Sequence, residues 1–214
     1  MKTDELVTLL ATGVEPVDPR APVRRCAVAV AAGVLVAAVL MSAWLGVRAS
    51  LVQDLAVPML WAKFAFVASL AAGGSIAALR LARPGASLAG LAPALVAPVV
   101  AMWVLAAVAL VGADDAPQRA ALFLGQTWKA CPYNIAVLSA PVFAAAMWGM
   151  RSFAPTRPVL AGAAAGLFAG AAGALVYAFH CPELAAPFLG TWYVLGMLVP
   201  TALGAILGPR VLRW

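Results

Sequence analysis

Residues 88–111 read LAGLAPALVAPVVAMWVLAAVALV, twenty-four positions without one charged side chain. A hydrocarbon core of about 30 Å needs about 20 apolar residues of helix to cross it. This stretch therefore predicts a membrane span. Five more stretches pass the same test: Cys26–Val47, Met59–Leu79, Pro132–Met150, Val159–Phe179 and Leu189–Leu207. Among all six, the second alone holds a formal charge, Lys63, close to its outer end. A barrel would instead need alternating strands of about ten residues, a pattern the sequence does not show. The expected fold class is an all-α membrane protein with six transmembrane helices.

Composition agrees with that reading. The chain is 65% hydrophobic and 10% charged, with a mean hydropathy of +1.00, well outside the range of soluble domains. The net charge of +6 would hint at nucleic acid in a soluble protein, but topology accounts for it here. Lys2, Arg20, Arg24, Arg25, Arg80, Arg83, Arg151, Arg157, Arg210 and Arg213 fall on one set of loops and tails. The other set holds Arg48, Arg119 and Lys129, beside Asp54, Asp114, Asp115 and Glu183. Ten basic residues against three is a positive-inside bias that places both termini in the cytoplasm. The first apolar run is too long and starts too late for a cleavable signal peptide. The expected location is a bacterial inner membrane, with the lipid bilayer as a partner and no direct contact with nucleic acid.

Three parts are expected: a cytoplasmic tail over 1–24, a six-helix membrane domain over 25–207 and a short cytoplasmic tail over 208–214. The N-terminal tail carries its own pattern. Asp4 is placed to cap a helix with Leu6, Leu9 and Leu10 on one face. Gly13 is placed to end it, and Pro16 and Pro19 prevent its continuation. So short a helix is marginal in water, and its net acidity disfavours an anionic lipid surface. Docking in a partner's apolar groove is the sharper reading, against an unstructured leader. Within the loop Gly112–Cys131, residues 123–128 are expected to form a short interfacial helix, with Trp128 and Lys129 at headgroup level.

Chemistry concentrates in two Cys-Pro pairs, Cys131-Pro132 and Cys181-Pro182, both at non-cytoplasmic span ends. Adjacent antiparallel helices would bring them together. A structural disulfide, two unrelated small residues and a reactive pair all remain open. Lys129 and His180 stand next to the cysteines and would favour thiolate. His180 and Glu183 add nitrogen and oxygen donors, so Cys131, Cys181, His180 and Glu183 form a candidate soft-metal site. Cys26, at the cytoplasmic start of the first span, reads as a packing residue. Lys63 reads as an anchor that snorkels to the headgroups. Gly162, Gly166 and Gly170 recur every four residues, which lets helices approach closely.

The opening Met1-Lys2-Thr3-Asp4-Glu5-Leu6-Val7-Thr8-Leu9-Leu10-Ala11, the segment Pro16-Val17-Asp18-Pro19, the six spans and the separated Cys131 and Cys181 carry a resemblance. Together they resemble the NrsF family, bacterial inner-membrane anti-sigma factors. The resemblance implies that the tail, through Asp4, Glu5, Leu6, Leu9 and Leu10, holds an extracytoplasmic-function sigma factor. It also implies that Cys131 and Cys181 sense thiol-reactive, heavy-metal or oxidative stress from the periplasm and trigger release. No enzyme and no resident cofactor are expected, only a transient heavy-metal ligand at the cysteine pair. The rival readings are a small-molecule transporter, which would need a polar path at midplane, and a membrane thiol-disulfide oxidoreductase.

Overall fold

A computed structural model of the chain describes residues 2–12, 18, 20–83, 85–153 and 155–213. Among them no strand occurs. The elements in chain order are α1 (Thr3–Ala11), α2 (Ala21–Trp44), α3 (Leu51–Asp54), α4 (Pro58–Leu81), α5 (Leu91–Val111), α6 (Ala116–Leu124), α7 (Cys131–Met150) and α8 (Pro158–Tyr177). The last, α9 (Ala186–Val211), contains one π turn over Leu189–Tyr193. Helices α2, α4, α5, α7, α8 and α9 are long and apolar enough to cross a membrane, matching the six expected spans. Prolines at the first turn of α2, α4, α7 and α8 start those helices where a backbone N–H is not needed.

Helix α8 runs through the middle of the bundle, and its alanines and glycines explain why. A Cβ at Gly162 would collide with the carbonyl of Gly204, and one at Gly166 with that of Pro200. Helices α8 and α9 thus touch backbone to backbone, as the four-residue glycine spacing predicts. On other sides, Gly173 lies against Ser139 of α7 and Gly74 of α4 lies against Phe168 of α8. Helix α2 packs along α7, with Gly33 against the Pro141 carbonyl and Cys26 against Gly149. Cys26 is a packing residue, as expected. The apolar side chains left over, among them Leu35, Val39, Val108, Leu203 and Ile206, face outward, where lipid supplies the contacts that water would not.

Two local expectations need correction. Residues 123–128 are not the helix of the long loop. Helix α6 lies earlier, because Asp115 accepts the Gln118 N–H at 2.7 Å and caps it. It stops at Gly125, whose φ of 56° is open mainly to glycine. In the tail, Asp4 sits in the first turn and not at the cap. Lys2 is the capping position, and its N–H donates to the Glu5 carboxylate at 3.2 Å. Leu6, Val7, Leu9 and Leu10 are all exposed, the last two at 67%. The expected stops at Gly13, Pro16 and Pro19 lie outside the described residues. Helix α9 continues to Val211, through four residues of the expected C-terminal tail.

Candidate functional site

Cys131 is the first residue of α7, and Cys181 follows α8 by one turn. The antiparallel packing of these two helices brings both cysteines to one end of the bundle. Both are free and fully buried, they belong to one core cluster, and Cys131 lies close enough to Cys181 to act on its ionisation. The two cysteines thus share one buried end of the bundle, unbonded to each other in this structure.

The ground under the pair comes from α4. Lys63 does not snorkel to the headgroups. Its side chain is fully buried, and its Nζ donates to the Cys181 carbonyl at 2.8 Å and to the Glu183 carbonyl at 3.1 Å. The reason is geometric: the turn after α8 folds inward over α4 and presents two carbonyls that no helix satisfies. The ammonium also faces the Tyr193 ring, 5.2 Å from its centroid. Arg48 adds a second cation, with Nη1 on the same Cys181 carbonyl at 2.9 Å and Nη2 at 3.4 Å from Asp54.

The wall of the site is aromatic. Tyr177 at the end of α8 and Tyr193 in the π turn of α9 lie 5.9 Å apart, and both are buried. The Tyr193 hydroxyl has no well-formed hydrogen bond and sits beside the thiols. Trp192, one residue earlier, donates to the Phe123 carbonyl at 2.9 Å and packs on Trp128 at 5.2 Å. A π turn widens the helix and re-aims these side chains, a device common at functional sites. Cys181 is pulled below the ordinary thiol value, first by the neighbouring Cys131 thiol, against burial, and then by the Lys63 charge.

The residues next to the cysteines in sequence are engaged elsewhere. His180 Nδ1 donates to the Gly46 carbonyl at 2.9 Å. Lys129 stands over the Trp128 ring at 5.3 Å. The Glu183 carboxylate accepts the Gln126 N–H at 2.7 Å and lies against Gly125, where a Cβ would clash with it. Among the described residues no three of His, Cys, Asp and Glu gather closely enough to hold a metal ion. The candidate set Cys131, Cys181, His180 and Glu183 is thus reduced to its two sulfurs, because nearness in sequence did not bring the other donors inward. Sequence reasoning missed Lys63, Arg48 and Tyr193 as parts of the site. For Lys63 a signal existed: a charge inside a span needs a buried partner unless it reaches the headgroups.

Residues 10–214 match the model of NrsF, described as negative regulator of sigma F. The chain belongs to the NrsF family. It is 51% identical over 214 residues, the whole of both chains, to a probable anti-sigma-F factor NrsF of Azospira oryzae. It is 38% identical over 220 aligned positions, again the whole of both chains, to the anti-sigma-F factor NrsF of Caulobacter vibrioides. No solved structure matches it. The NrsF match starts at Leu10 and takes in the entire bundle with both cysteines. Asp4, Glu5, Leu6 and Leu9 precede it.

Proposed function

We propose that this NrsF-family chain is a transmembrane anti-sigma factor of a bacterial inner membrane, with both termini in the cytoplasm. Its tail, residues 1–24, holds an extracytoplasmic-function sigma factor away from RNA polymerase. Cys131 and Cys181, on the periplasmic side, meet an oxidant or another thiol-reactive agent, including a thiophilic metal, and the sigma factor is released. The positive-inside count supports the orientation. The observation that carries the sensing role is the buried dithiol built on Lys63, Tyr177 and Tyr193.

Two features support communication between the ends. Cys131 starts α7, and α7 packs along α2 through Gly33 and Gly149; α2 leads back to the tail. In α1, the leucines that would meet a partner are exposed, and no residue of the helix is buried. An effector at the thiols shifts the equilibrium only so far as the two states of α7 differ in their fit to it.

The test is purification of the tagged full-length protein from its own cells in detergent, with mass spectrometry of what co-elutes. Recovery of a sigma factor, lost on deleting residues 1–20 and lost after treating cells with a thiol-reactive agent, is the expected result. A sigma factor that stays bound after the deletion would remove the tail from the interface. One that stays bound in treated cells would remove the sensing role.

A further inference from the structure

The geometry points to Lys63 as the positioning residue that makes Cys181, rather than Cys131, the first sulfur of the pair to react. This deepens the thiol-sensing reading above and rests on it.

The argument starts from a buried ammonium without a carboxylate. Lys63 is fully enclosed, and its partners are two carbonyls and an aromatic ring. Among the described residues the one ion pair joins Arg48 to Asp54, so no carboxylate neutralises Lys63. Burying a cation that way is costly unless an anion lies close by. The ionisable group nearest in covalent terms is the thiol of Cys181, whose own carbonyl Lys63 holds at 2.8 Å. Arg48 donates to that carbonyl too. Both cations therefore converge on the backbone carbonyl of one cysteine.

Cys131 has a competing claim, since a helix N-terminus ordinarily favours a thiolate. Here the claim is weakened because the preceding turn already uses the donors. The Cys131 N–H donates to the Thr127 carbonyl at 2.9 Å, and the Asn134 N–H to the Ala130 carbonyl at 2.8 Å. The groups facing the pair are Lys63 from α4, Arg48 from the loop after α2, Tyr177 from α8 and Tyr193 from α9. His180 and Glu183 belong to the cysteine's own segment, and their side chains are turned to Gly46 and Gln126. The two full positive charges in this set both donate to the backbone carbonyl of Cys181, and neither makes a hydrogen bond to Cys131. The neighbouring Cys131 thiol, together with Lys63, lowers the Cys181 pKa in the same direction.

The chemistry with a small thiosulfonate is balanced without an outside oxidant. The Cys181 thiolate attacks the sulfenyl sulfur of methyl methanethiosulfonate, an S–S bond forms, and methanesulfinate leaves with the electron pair. The Cys131 thiol then displaces methanethiol, which takes its proton, and a Cys131–Cys181 disulfide remains.

The test uses the full-length protein in detergent, as Cys131→Ser and Cys181→Ser variants, labelled with methyl methanethiosulfonate from pH 6 to 9. Peptide mass mapping separates the labelled thiols from Cys26. The expected result is a Cys181 rate that is nearly flat from pH 7 to 9. The Cys131 rate instead climbs about tenfold per unit up to about pH 8, as for an ordinary thiol. Adding Lys63→Gln to Cys131→Ser slows Cys181 about tenfold or more at pH 7, and Lys63→Arg restores it. A Cys181 rate that climbs with pH in the Lys63 protein overturns the inference, whether or not the Gln variant folds. So does a Gln variant that folds and labels at the parental rate, or an Arg variant that labels as slowly as Gln. The sensing reading is judged separately, in cells. Normal induction in a Cys181→Ser strain would defeat that reading while leaving the role of Lys63 intact.

Discussion

Lys63 and Cys181 are 118 residues apart in sequence, yet the Lys63 ammonium donates to the Cys181 carbonyl at 2.8 Å inside the bundle. This contact joins the second span to the turn that carries one thiol. It also turns a solitary charge in an apolar helix from an anchor into part of the site.

Glu183 ties the same turn to the α6 loop through the Gln126 N–H at 2.7 Å. A hydrogen bond to a charged acceptor contributes about 1.5–3 kcal/mol, and this one is partly exposed, so the lower end applies. Glu183→Ala is expected to lower thermal stability in detergent by that amount and to speed maleimide labelling of Cys181. Unchanged labelling would show that the loop does not cover the thiols.

Where α8 and α9 meet, no space exists for a side chain. Gly162→Val or Gly166→Val is expected to cost about 3 kcal/mol or more, since the obstacle is backbone and cannot move aside. Thermal unfolding or gel filtration of the purified variants reads the effect. A Gly46→Ala control meets open space but a φ of 76°, so it should cost only about 1 kcal/mol.

Replacing either thiol by serine keeps a small polar side chain in the same place. Cys131→Ser and Cys181→Ser are expected to express, fold and repress normally, yet to lose the response to a thiol-reactive agent in a sigma-dependent reporter. Full induction in both strains would assign sensing to another part of the molecule.

The leucines of α1 are exposed and none is buried in the bundle. Leu6→Ala with Leu10→Ala should leave the unfolding temperature within the range of ordinary surface changes, about 0.5 kcal/mol. Sigma-factor co-purification should fall several-fold. Retained capture by the double variant would move the interface to other cytoplasmic segments, such as the Arg80–Arg83 loop.

The depressed pKa of Cys181 has a sign that can be checked. Its thiolate is stabilised in the folded protein, so this group's contribution to stability is complete above the ordinary thiol value of 9.0 and declines as pH falls through the lower folded value. In the folded protein Cys181 should react as thiolate at pH 7. In the urea-unfolded chain the same cysteine should react about 25- to 50-fold more slowly at pH 7 than at pH 9. Equal pH profiles in the two states would show that the fold does not perturb it.

The sequence alone determined what depends on neighbours along the chain. Twenty apolar residues suffice to predict a span because the bilayer thickness and the helix rise are fixed, and all six appeared near their expected limits. The small-residue spacing of Gly162, Gly166 and Gly170 foretold a close helix approach, because small side chains let backbones meet, but not that α9 would be the partner. The position of both Cys-Pro pairs at span ends was legible too. Helix boundaries in the loops were less so, since Asp115 and Lys2 won the capping positions over residues that looked as suitable. Only the tertiary structure decided who surrounds the thiols. Lys129 and His180 lie within two residues of the cysteines in sequence but bind Trp128 and Gly46. Lys63, Arg48 and Tyr193 come from three distant elements. Which side chains meet across a bundle is set by how the helices rotate and pack, and an inward-folding turn rewards whichever cation can reach its unsatisfied carbonyls. No local pattern encodes that.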